Sequence, residues 1–245
     1  MCPEVRSKEL MAQGARRRSQ PPCDLLQAAG PRVLEIYARL AQREEHLFGK
    51  LLGGEIPRQW RHYPEDDAID QDRGYQWFYH SHSPEDRPGV NEHGHIHLFA
   101  RSKLWSRRLR SAGEIEFAKM TGNPGDQVNT RHLLTIGFDA KGVPTTLFTV
   151  NSWVTGDLML SASLTALLLE QMTLETDNEE VDTVIECVVW LYCDEIRELL
   201  DKRDQVLFGY GSPGVLKDES LEVLSELAID TDGKLSGDAL ELCRH

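Results

Sequence analysis

The 245-residue sequence predicts an α+β fold: an antiparallel sheet of at least four strands, in two hairpins, packed by N-terminal and C-terminal helices. Two observations carry this. The middle of the chain holds two pairs of short β-rich runs, each pair joined by a segment rich in turn residues. The segments before and after them repeat apolar residues every three or four positions, the spacing of a helix with one buried face. With 40% hydrophobic and 27% charged residues, the chain can bury a core and stay soluble.

The first helical pattern runs from Asp24 to Leu52, through Leu25, Val33, Ile36, Tyr37, Leu40, Leu47 and Leu51. Gly30-Pro31 is expected to split it, with Pro31 in a first turn, where its missing N–H costs nothing. Gly53-Gly54 ends it. Residues 55 to 74, with Pro57, Pro64 and the acidic Glu65-Asp66-Asp67, read as loop. Tyr75 to His82 and His93 to Arg101 read as the first hairpin, around a loop with Pro84, Pro88 and Gly89. A helix is expected over Ser102–Met120 and a turn at Asn123-Pro124-Gly125-Asp126. Arg131–Phe138 and Val143–Val150 form the second hairpin, with Gly142 suited to a left-handed turn position. Helices follow over Asp157–Leu174 and Glu179–Asp204, and a last amphipathic helix over Ser220–Leu227.

These elements divide the chain into a disordered basic tail (1–22), one α+β domain (23–208) and an accessory helix with a flexible tail (209–245). The first twenty residues hold five Lys/Arg against two Glu, but no apolar signal core follows them. The net charge of −13 argues against a general nucleic-acid partner, which needs a basic surface. The longest apolar run, Leu158 to Leu169, is too short to span a bilayer. Five scattered cysteines without a CxxC pair give no disulfide framework, and a reducing cytoplasm fits them.

Five of the nine histidines fall within eighteen residues: His80, His82, His93, His95 and His97. Both groups have the i, i+2 spacing that puts strand side chains on one face. Pairing the aromatic side of the first strand (Tyr75, Trp77, Tyr79) with the aliphatic side of the second (Ile96, Leu98, Ala100) keeps one core face. That register sets His80 opposite His95 and gathers the histidines on the other face. Directly opposed Cβ atoms lie about 5 Å apart, close enough for imidazoles to converge on one ion. Gly94, on the core side, permits close approach of another part of the chain. His80, His82, His95 and His97 are therefore the expected metal ligands, and Glu92 and His93 the expected acid/base pair or further ligands. A shell of His and carboxylate without thiolate suits Fe, Mn or Zn. His62 and His132 are outlying candidates.

The motifs His62-Tyr63-Pro64, Tyr79-His80-Ser81-His82 and Glu92-His93-Gly94-His95-Ile96-His97 resemble the outline of a bacterial family of conserved proteins of unknown function. The resemblance covers roughly residues 60 to 205 and implies a cytoplasmic bacterial protein, with no activity to carry over. His93-Gly94-His95-Ile96-His97 also has the outline of the histidine-triad nucleotide hydrolases, which attack phosphate without metal; Gly94 departs from that pattern. The expected function is a metal-dependent enzyme, of hydrolase or non-haem oxygenase type, acting on a small molecule. A non-catalytic metal-binding or metal-sensing protein is the alternative.

Overall fold

A computed structural model describes residues 23–82, 92–122, 130–211 and 214–236. The tail expected at 1–22, the loop at 83–91, the turn at 123–126 and the last residues, 237–245, lie outside the described residues. In chain order the elements are α1 (Cys23–Gln42), α2 (Gly49–Leu52), β1 (Tyr63–Ile69), β2 (Tyr75–Ser81), β3 (Gly94–Ala100), α3 (Ser102–Trp105) and α4 (Ala112–Thr121). Then come β4 (Arg131–Phe138), β5 (Pro144–Val150), α5 (Ser152–Thr155), β6 (Leu158–Met159), α6 (Ala162–Glu170), α7 (Glu179–Leu191), α8 (Cys193–Gly209), a 3-10 turn (Val215–Lys217), β7 (Val223–Ala228) and α9 (Thr231–Ser236). The sheet runs β1-β2-β3-β4-β5-β7, antiparallel throughout, while β6 pairs in parallel with the start of β4.

The central register is the one the binary pattern demands. Tyr75 pairs with Ala100, Trp77 with Leu98 and Tyr79 with Ile96, and these residues belong to the hydrophobic core. Helices cover this face. Trp77 donates from its indole N–H to Asp182 of α7 at 2.8 Å, and the Tyr75 hydroxyl donates to the Leu168 carbonyl of α6 at 2.8 Å. Phe48 stacks on Tyr79 at 4.2 Å and meets Phe138 edge-on at 5.1 Å. Each buried aromatic of this kind contributes roughly 1.5–3 kcal/mol of burial free energy. Asp182 is satisfied as it is buried, since it also accepts from the Thr176 backbone N–H at 2.6 Å. The alternate residues, Gln76, Phe78 and His80 on β2 and His95, His97 and Phe99 on β3, pair with one another on the opposite face.

Several expectations are corrected. Helix α1 runs through Pro31 without a break, because Ala29, Val33, Ile36 and Leu40 form one buried stripe on both sides of the ring. The interruption comes instead after Gln42. Residues 63–69, expected as loop, form β1; its acidic sequence lacks alternation because the strand is bulged between Tyr63 and Ala68. The Ser102–Met120 helix is two short ones. The segment after Asp157 first forms β6, and the helix begins only at Ala162, where the Ser161 side chain accepts from the Leu164 N–H. The expected long helix from Glu179 breaks at Tyr192. The helix expected over Ser220–Leu227 is the strand β7, because the open edge of β5 supplies backbone partners from Val150↔Val223 to Thr146↔Ala228. Among the described residues, no helix is long and apolar enough to cross a membrane.

Gly94 is needed where it stands. A Cβ there would meet the Tyr79 ring and the His80 carbonyl oxygen, each at 2.6 Å. Gly94→Ala is therefore expected to lower stability by roughly 1–3 kcal/mol, as overpacking does, read as a lower urea midpoint at unchanged slope.

Candidate metal centre

The β2–β3 ladder sets His80 opposite His95, and the backbone N–H of His82 donates to the His93 carbonyl at 3.3 Å just beyond it. This ladder brings three imidazoles together at their Nε2 atoms. The separations are 2.5 Å for His80–His95, 3.3 Å for His80–His82 and 3.4 Å for His82–His95. Nitrogens on one ion, at bond lengths of about 2.1 Å and angles from square to tetrahedral, stand about 3.0–3.4 Å apart. Two of the three spacings match a shared ion, and the His80–His95 pair has to open by about 0.5 Å or more to admit one. These donors all lie within 4.8 Å of one another, a group that can hold a metal.

The tautomer of one ligand is set from behind. His95 donates from Nδ1–H to Glu92 Oε1 at 2.7 Å, which leaves its Nε2 as a lone pair for an ion. The Glu92 carboxylate is buried, and its other oxygen would clash with a Cβ on Gly137, so the β4 glycine opposite His95 makes room for it. Burial also keeps His80 and His97 neutral. It pushes His80 down to about 3, helped by repulsion from His82 and His62, and holds His97 well below the usual histidine range. Neutral imidazole is the metal-binding form.

The other expected residues have separate places. His97 lies outside the three-histidine group; its Nδ1 is 3.1 Å from His132 Nε2 and 3.1 Å from Thr135 Oγ1. His93 is exposed. Glu92 reaches the centre through His95. His62 lies flat on Phe78 at 3.6 Å, with its Nδ1 3.1 Å from Asp67 Oδ1. Gln76 fixes the same carboxylate from the site face, donating to Oδ2 at 2.7 Å. Trp60, 65% exposed, stands edge-on to His82 at 4.8 Å and to His80 at 6.2 Å. Phe148 meets His95 edge-on at 5.2 Å.

Gly137, Thr135 and Trp60 were not among the sequence candidates. An isolated glycine inside a strand pattern is a signal for close approach, and Gly137 carries it. Thr135 and Trp60 carry no such signal, because a threonine in a strand and a tryptophan in a loop are ordinary.

Residues 27–229 match the model of a family described as Domain of unknown function (DUF6969). No curated protein and no solved structure matches the chain.

His132 offers a test of the buried histidine face away from the three-nitrogen group. Burial, followed by the nearby Arg203 charge, pushes it down to about 3. Its unfolded value is near 6.5, so between the two the unfolded chain binds the extra proton. The folded state accordingly loses up to about 1.4 kcal/mol per pH unit as pH falls from 6.5 toward 3. In His132→Gln, the slope of unfolding free energy against pH over 6.5–4.5 should be shallower by that order. An unchanged slope would show that His132 does not titrate on unfolding in this window.

Proposed function

We propose a metal-dependent enzyme for this chain, which belongs to the DUF6969 family. In this reading His80, His82 and His95 hold a divalent transition metal (Fe, Mn or Zn) and Glu92 orients His95. The convergence of three Nε2 atoms, one of them set from behind by a buried carboxylate, carries the reading. Three imidazoles would hold the ion without adding charge of their own and would leave room on it for water or a substrate. When bound, the ion supplies the Lewis acidity or oxygen chemistry of a hydrolase or a non-haem oxygenase.

The chain's own residues supply the surroundings. Phe78, Phe99 and Phe148 pack around the imidazoles and limit water at the centre. His82 is only half-buried and Trp60 beside it faces solvent, which marks the side from which a small-molecule substrate approaches. We take the chain's partner to be a small molecule in the cytoplasm: the net charge of −13 disfavours nucleic acid, and scattered cysteines fit a reducing compartment.

Elemental analysis of the untagged protein, purified or reconstituted without oxygen, should find close to one Fe, Mn or Zn per chain. His95→Ala, still folded by circular dichroism, should lose it. A wild-type protein that binds none of the three metals under these conditions sinks the proposal. Glu92→Gln should retain the site but bind metal about 10–100-fold more weakly, as measured by competition with a chromophoric chelator.

A further inference from the structure

We propose that His97, rather than ligating the ion, is the hydrogen-bond donor of the centre, directing Nε2–H at the small molecule or anion that joins the ion. This rests on the metal reading above and assigns a role to a histidine which that reading leaves out.

Coordination range comes first. Two atoms bound to one ion lie at most about 4.2 Å apart, twice a bond length of about 2.1 Å. His80, His82 and His95 form a group of donors within 4.8 Å of one another, and His97 does not join it. Yet the His97 ring is close, with its centroid 4.7 Å from that of His95 and 5.1 Å from that of His80. It borders the centre without being in it.

Partners of the ring come second. His97 Nδ1, His132 Nε2 and Thr135 Oγ1 form a triangle with every side 3.1 Å, closed off from solvent. Either the hydroxyl of Thr135 or an N–H on His132 can donate to the one lone pair of Nδ1, and an imidazole that accepts at Nδ1 carries its own proton on Nε2. Thr135 lies on β4, directly across from His97 in the ladder, and His132 lies on the same strand. The lone-pair directions of the two imidazole nitrogens diverge widely, so with Nδ1 held by β4 the Nε2 edge turns away from β4. On the β2 side the ring has Phe78 at 5.2 Å and His80 at 5.1 Å. Phe78 at 5.2 Å and Phe99 at 6.2 Å wall the ring, and a hydrogen bond made in such dry surroundings is stronger than in water. Thr135 and His132 are positioning residues in this account. They act only through the His97 ring.

Azide titration of the cobalt(II)-loaded protein, followed in the visible spectrum, separates the possibilities. His97→Phe should keep one cobalt per chain but bind azide about tenfold more weakly, the scale of one charge-assisted hydrogen bond. His97→Gln, whose amide N–H falls near the position of Nε2, should restore most of the affinity. If His97→Phe does not fold, His97→Asn takes its place, since its amide stops short of that position. Loss of cobalt from a folded His97 variant would make His97 a ligand and overturn the proposal. So would azide affinity unchanged from wild type in His97→Phe or His97→Asn. A wild-type protein that takes up no cobalt would instead bring down the metal reading itself.

Discussion

The alignment of β2 with β3 is the constraint on which the rest depends. Trp77 faces Leu98 and His80 faces His95 through the same ladder, so the core and the candidate centre are two products of one register. A slip by one residue would bury imidazoles under the helices and carry Trp77 to the opposite face. Trp77 donating to Asp182 and Tyr75 donating to Leu168 fasten the helix-facing side, and each bond also forbids that slip. The arrangement of the histidines is thus secured by residues that never touch them.

That register was legible in the sequence because period-two alternation leaves only one way to keep the apolar sides of two adjacent strands together. The two hairpins and the pairing of His80 with His95 follow from it. What the sequence did not disclose depends on tertiary partners. Val223–Ala228 has leucines at a spacing compatible with a helix, and only the free edge of β5 makes it a strand. Pro31 reads as a break until α1 is seen to bury Ala29 and Val33 on either side of it. In the candidate centre, His-x-His-x-His places three residues on one face but says nothing about where each ring turns. His95 turns to Glu92, His97 to Thr135 and His132, and His93 to solvent.

Glycine has a related part on both sides of the sheet. Gly94 admits the Tyr79 hydroxyl on the core side, and Gly137 admits the Glu92 carboxylate on the other. At each position a missing side chain lets a polar group sit against the backbone within well-packed surroundings. The buried Glu92 carboxylate keeps its hydrogen bond to His95 because β4 leaves this space.

All three converging nitrogens come from one hairpin, within sixteen residues of chain, with odd-numbered neighbours on β2 serving the core and even-numbered ones serving the histidine face. Parity therefore separates two kinds of change. Substitutions on one parity can refashion the chemistry while leaving the hydrophobic layer untouched, and those on the other can repack the layer while leaving the imidazoles in place. A single inserted or deleted residue within either strand exchanges the two sets. For this hairpin, a change in length is a graver event than a change in composition.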